Sequence, residues 1–500
     1  MTGIRLIVVA AWTLLVAAWV VGNPALGAPD ERDHYVRALA VASGQVVGEP
    51  APEAAGGKTA RQLDWTRQAT RRVQARRDLL PPPDSCYVLD PGQAASCIAN
   101  TPGPAAGGPT TPVGTYQPLP YLLAGPATTL AGSPLAAVRA ARVPGAIVAV
   151  LLFACALLSV RSVSSLLGLI VAVTPMALFC AASISGSGLE IASGVAFSAV
   201  AIRLARDRGS PAWLWLLLAV SGAVLALSRS PGPAWVVVIL LLALALAGPR
   251  GCWERIRTGR VTAGLSLGVL LAASVANRAW ELRYGPSLEP VTDSLGYGAR
   301  LAVEQWWNAA PELVGRFGYL EFSLPAWIPL AWLLALAGLF VLAWRASGSR
   351  ERLVLAGTTA VAIVLPLLVF LVVTRQTGFG LQGRHVLPVL VALPILVGEL
   401  LPRSGRAVSV GAAATGLVAG ACQFAAFWEN GRRAAVGVDG PLWFPASAQW
   451  APPGGWTLSI ALAALGSAAL VAAGALIARR AEPPERRAGP AGAGQGAVPA

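Results

Sequence analysis

Asp30, Glu31 and His34 stand in the run Pro29-Asp30-Glu31-Arg32-Asp33-His34-Tyr35, shortly after an apolar stretch that ends at Gly22. A carboxylate held where a lipid-borne substrate meets water can take a proton from a hydroxyl, and a neighbouring imidazole or guanidinium can hold a phosphate. The pattern predicts a helix, with Pro29 in a first helical position, acids in the first turn and Gly44 at the end. Asp30 and His34 then share one face at i and i+4, with Glu31 beside them. An acid-capped, solvated helix start is the plainer reading of the same residues.

Other ionisable groups fall at the ends of apolar runs. Glu190, in Ser185-Gly186-Ser187-Gly188-Leu189-Glu190, sits at such a depth that it is a functional candidate, with helix capping or snorkelling as the alternative. Gln382-Gly383-Arg384-His385 places Arg384 to meet a phosphate in the headgroup plane, or to serve as an interfacial anchor. Arg316 and Glu321 lead into another apolar run. Between Lys58 and Leu80 lie Arg61, Arg67, Arg71, Arg72, Arg76 and Arg77, which read as a solvated basic helix or a strip along anionic lipid.

The elements that must carry these groups are membrane spans. The chain has 500 residues, 55% hydrophobic and only 12% charged, with a mean hydropathy of +0.62, which excludes an ordinary soluble enzyme. Apolar runs near 4–22, 143–160, 163–182, 189–205, 211–228, 234–248, 261–279, 326–344, 353–373, 385–401, 407–428 and 457–478 predict an all-α polytopic membrane protein of about twelve transmembrane helices. A first helix (1–22) precedes a large extracytoplasmic loop (23–142), helices two to seven (143–279), a second loop (280–325), helices eight to twelve (326–478) and a disordered cytoplasmic tail (479–500).

Charge placement orients this scheme. The net charge of +14 is almost wholly arginine, and the arginines cluster in short connections rather than on one face, which argues against a nucleic-acid partner. Arg5, Arg161, Arg203, Arg206, Arg250, Arg255, Arg345, Arg350, Arg403, Arg406, Arg479 and Arg480 all fall on one side, so both termini are expected in the cytoplasm of a bacterial plasma membrane protein. Arg5, the apolar stretch and Ala25-Leu26-Gly27 also fit a cleaved signal peptide, which leaves the following loop outside either way. In that loop Cys86 and Cys97 are positioned for a disulfide, whereas Cys155, Cys180, Cys252 and Cys422 read as buried or idle thiols. Charges are scarce within the spans and no Walker A sequence is present, which speaks against a proton pump or an ATPase in this chain.

Taken in order, the motifs resemble those of a family of bacterial membrane proteins grouped with the GT-C glycosyltransferases. Pro29, Asp30, Glu31, His34 and Tyr35 match a Pro-Asp-Glu-x-x-His-Tyr pattern; Tyr116 and Tyr121 match a tyrosine-proline stretch before the second span. Gly188 to Ile191, Gly318 to Glu321 and Gln382 to Arg384 complete the series, with Glu321 and His385 departing from the commoner Asp and Tyr. The resemblance implies a GT-C-like transferase that moves a sugar from a polyprenyl-phosphate donor to an envelope glycan or glycolipid acceptor. Asp30 would be the base, Glu31 and His34 would position acceptor or phosphate, and Arg384 would steady the leaving phosphate. Tyr35, Tyr116, Tyr121, Glu190, Arg316, Glu321, Gln382 and His385 would line the substrate. Some such transferases use a divalent cation, for which Asp30 and Glu31 are the candidate ligands. A lipid-linked glycan flippase and a non-catalytic envelope scaffold are the rival classes.

Overall fold

A computed structural model describes residues 1–82, 86–100, 108–207, 209, 211–287 and 295–482. Nine helices among the described residues are long and apolar enough to cross a membrane, and a tenth results if Gly232–Ala247 and Pro249–Thr258, bent by 102° at Gly248, count as one. The protein is thus a predominantly helical, polytopic membrane protein. The shortfall from twelve lies in three expected runs. The run 163–182 breaks into Ser165–Ala172 and Pro175–Ala181, because Pro175 has no N–H to continue the ladder and Thr174 caps the new start by accepting from the Ala177 N–H. Ala212–Ser228 and Gly232–Ala247 are helices of 17 and 16 residues.

Two boundaries move, the first for an electrostatic reason. The second long helix runs from Pro134 to Ser159 rather than starting at 143, since Arg142, expected to mark its watery end, is fully buried and neutralised by a carboxylate. The last helix, Gly455–Ala481, takes in the first residues of the expected tail; the tail from 483 onward lies outside the described residues.

The first loop is a folded layer. It holds helices Glu31–Ala42, Ala60–Ala69 and Leu119–Thr128 and an antiparallel three-stranded sheet of two-residue strands, Glu49–Pro50, Arg71–Arg72 and Thr110–Thr111, with Arg71–Arg72 in the middle. The basic segment therefore does not form one helix: Thr70 leaves the helix in extended conformation and Arg71 and Arg72 enter the sheet. In the second loop helix Leu295–Ala309 leads to a hairpin that pairs Arg316–Phe317 with Phe322–Ser323.

The loop layer is seated on an aromatic cluster. Trp19, at the end of the first span, packs against Phe179, Phe317 and Phe427 at centroid distances of 5.3, 5.0 and 5.4 Å, gathering four distant segments. Gly186–Arg206 is the central pillar, its apolar window 94% buried. At the far end of the bundle Arg161 and Arg206 share Glu399 at 3.8 and 3.6 Å, and Arg206 also pairs with Glu351 at 2.6 Å. The arginine-rich connections and the loop layer thus occupy opposite ends of the helices.

Candidate functional site

The helix Glu31–Ala42 begins two residues later than its sequence suggests. Asp30, not Pro29, marks the start, as an N-cap in the left-handed region (φ 58°, ψ 13°). Aspartate tolerates that conformation better than most residues, yet it is uncommon enough to ask what holds it there. The answer is the next residue. Glu31 is fully buried and forked onto Arg142 through bonds of 2.8 and 2.6 Å, and it also accepts from the backbone N–H groups of Ile184 and Ala28 at 3.2 and 3.4 Å. Arg142 spends its remaining donors on the carbonyls of Val20, Asn23 and Pro24 at 3.3, 2.8 and 2.7 Å. This knot joins the end of the first span, the second span and the turn before the central pillar, and it fixes the backbone that carries Asp30.

Glu31 is accordingly a positioning residue with no exposed surface, which corrects its expected place beside the substrate. The cause is the turn: Asp30, in left-handed conformation, lies outside the helix that Glu31 opens, so the two side chains leave the backbone in different directions. Tyr35 is likewise turned away, its hydroxyl donating to the Leu79 carbonyl at 2.9 Å.

Asp30 itself points outward, with its side chain 48% exposed, and meets Nη2 of Arg384 at 3.3 Å. Arg384 is buried; its Nε donates to Oε1 of Gln382 at 2.6 Å. The turn that carries it is held by Glu312, which accepts from the Gly383 N–H at 2.7 Å and pairs with Arg316 at 3.4 Å. His385 closes that first turn, its Nδ1 accepting from the Gln382 N–H at 3.5 Å.

His34 lies inside the same basin. Its Nδ1 shares a hydrogen bond of 2.7 Å with the Tyr121 hydroxyl, and the two rings stack at 5.8 Å. Burial, with the charges of Arg384, Arg229 and Arg37, pushes its pKa down to about 3, so the imidazole is neutral. Asp33 moves the other way: burial and the charge of Asp30 push it up to about 7 despite Arg32 at 3.5 Å. The Tyr319 hydroxyl rests against the backbone of Asp30, and burial beside Asp30, Asp33 and Glu31 raises its pKa. Tyr116, near His34, continues through Trp65 to Phe379 as an aromatic wall with ring distances of 6.5 and 5.7 Å.

Two expected substrate residues are engaged elsewhere. Glu190 is fully buried, accepts from the Trp235 indole at 2.9 Å and stands 3.6 Å from Arg229. Glu321 pairs with buried Arg433 at 2.8 Å, and Arg433 also donates to the carbonyls of Tyr87, Asp90 and Gln93, in the loop that the Cys86–Cys97 disulfide closes. Both acids thus hold arginines in place rather than facing Asp30.

Arg142, Arg229, Glu312 and Arg433 escaped the sequence reading, and Tyr319 entered it only inside the Gly318 to Glu321 motif, without a role of its own. Arg142, Arg229 and Arg433 shared one legible signal, lying at the loop-layer side of the spans rather than in the arginine-rich connections opposite. As for a cation, both oxygens of Glu31 are spent on Arg142 and backbone, and among the described residues no three His, Cys, Asp or Glu side chains gather as a metal site. What the basin offers is a half-exposed carboxylate, a guanidinium touching it, a neutral imidazole and an aromatic wall.

No curated protein and no solved structure matches the chain. A family profile described as "Predicted membrane protein (DUF2142)" matches residues 13–393, a stretch that includes Asp30, His34, Tyr116, Tyr121, Arg229, Glu312 and Arg384, and the chain belongs to that family.

Proposed function

We propose that this chain is a membrane glycosyltransferase of the GT-C type, which moves a sugar from a polyprenyl-phosphate donor to an envelope glycan or glycolipid outside a bacterial plasma membrane. Asp30 takes the proton of the acceptor hydroxyl, the acceptor oxygen bonds to the anomeric carbon, and the bond from that carbon to the phosphate oxygen breaks. Arg384 offsets the charge that develops on the departing polyprenyl phosphate. His34, neutral and bonded to Tyr121, serves as a polar contact for substrate.

The contact between Asp30 and Arg384 carries this reading, because it joins a proton acceptor and an anion anchor at one rim of the bundle. In the same reading the chain crosses the membrane twelve times, the short helices Ala212–Ser228 and Gly232–Ala247 and the broken pair Ser165–Ala172 and Pro175–Ala181 included. The arginine-rich end then faces the cytoplasm and the loop layer faces out.

Native mass spectrometry of the protein in mild detergent tests the donor. A polyprenyl phosphate or its sugar ester should co-purify with the wild type and be lost from Arg384→Ala. Bulk phospholipid alone, equal in both proteins, would move a scaffold role ahead of transfer.

A further inference from the structure

The central pillar opens with Ser185-Gly186-Ser187-Gly188, and its first turn is uncapped. Ser185 is the N-cap in extended conformation, where a serine hydroxyl ordinarily accepts from a first-turn N–H, but it makes no such bond. Its Oγ is buried, with the residue 8% exposed, and has no partner among the described residues. The first turn also contains no acidic residue to answer the positive end of the helix dipole.

A guanidinium is laid over this turn. Arg229 lies so close that a Cβ on Gly186 would come within 2.9 Å of its Cγ, and its Nη1 stands 3.5 Å from Oγ of Ser187. Its backbone is fixed from behind, where Nδ2 of Asn277 donates to the Arg229 carbonyl at 2.9 Å. The carboxylate it approaches, Glu190, stands at 3.6 Å and already accepts from Trp235. Positive charge, two hydroxyls and a free helix start therefore converge with a single acid to answer them.

We infer that the Ser185–Gly188 turn under Arg229 is a phosphate subsite. Backbone N–H groups of the turn and the Ser185 and Ser187 hydroxyls would donate to phosphate oxygens, and Arg229 would supply the countercharge. Glycines at 186 and 188 let the turn pack tightly, Gly186 under Arg229 and Gly188 against the Cys180 carbonyl. Gln117, beside Tyr116 of the aromatic wall, donates to the hydroxyl of Ser230, beside Arg229, at 3.5 Å, which sets the subsite next to the basin that Asp30 borders. The ligand is a phosphate ester; its assignment to a lipid-linked donor rests on the transferase reading, whereas the subsite itself does not.

Binding of farnesyl phosphate, farnesol and inorganic phosphate to the full-length protein in detergent separates these claims. Ser185→Asp places a carboxylate on the vacant cap, so it should fold at least as well as the wild type while weakening farnesyl phosphate by about tenfold or more and sparing farnesol. Arg229→Gln should show the same selective loss. If farnesyl phosphate binds both variants as it binds the wild type, or binds none of the three proteins, the subsite is refuted; in the first case loss of binding in Arg384→Ala would still uphold the donor reading. If inorganic phosphate binds as tightly as farnesyl phosphate and is lost in the same variants, the subsite stands and the lipid-linked source is overturned.

Discussion

Asp30 and Arg384 are 354 positions apart in the chain and 3.3 Å apart in the fold. The first leaves the membrane at the end of the first span and the second opens a helix near the tenth apolar run, so neither motif places the other. Their contact gives the basin an acid whose charge is answered on one side and open to solvent on the other.

Asp30→Asn keeps both the shape and the tolerance for left-handed backbone, so it should express and melt like the wild type while losing transfer. Asp30→Ala should lose transfer too and melt earlier, by about 1 kcal/mol, because a plain Cβ is strained at φ 58°. Thermal melts in detergent alongside a transfer assay check both, and wild-type transfer by a stable Asp30→Asn protein would remove Asp30 as the base.

Glu31→Gln should act through stability. It leaves Arg142 buried with an uncompensated charge, at a cost of about 3–5 kcal/mol. A double variant, Glu31→Gln with Arg142→Met, should recover part of that loss, since both charges then leave the interior. Equal melting of the two variants would show that the pair contributes no coupling.

The pH dependence of stability should contain two opposed slopes. Asp33 holds its proton in the folded protein up to about 7, whereas its ordinary value is 3.8, so its contribution falls as pH rises between those values. His34 stays neutral down to about 3 against an ordinary 6.5, so its contribution is lost as pH falls through that window. Asp33→Asn should therefore gain on the wild type progressively from pH 4 to 7 and stay level above. Parallel melting curves across that range would show that Asp33 titrates normally.

Cys86 and Cys97 close a loop with a sequence separation of 11, and losing the bond should cost about 3 kcal/mol. The same loop supplies carbonyls to Arg433, so Cys86→Ser with Cys97→Ser should also loosen the seat of Glu321. Proteolysis near residues 86–97 measures the loosening, and unchanged protection would show that Arg433 suffices.

The membrane class, the presence of a large first loop and the acidic and basic motifs at Asp30 and Arg384 were legible because hydropathy and isolated charge are local properties. Orientation of side chains was not. Glu31, Tyr35, Glu190 and Glu321 all sit in the right segments, yet each is turned to a partner that only the tertiary fold supplies: Arg142, the Leu79 carbonyl, the Trp235 indole and Arg433. The arginines among those partners were passed over because a single arginine at a span end reads as an anchor until its carboxylate is seen. The split of 163–182 at Pro175 was visible in the residue itself, but an unbroken apolar run outweighs one proline when only hydropathy is counted.

The family match ends at 393, and the residues named above at the Asp30 basin lie before that point. Beyond it, Arg433 grips Glu321, Asn430 donates to Asn23 at 3.1 Å, and Phe427 closes on Trp19. A chain cut at 393 would thus leave Glu321 as a buried charge without Arg433 and would strip Asn23 and Trp19 of one partner each. Rigidity is therefore shared across the 393 boundary, with the Glu31–Arg142 knot and Glu312 on one side and Arg433, Asn430 and Phe427 on the other.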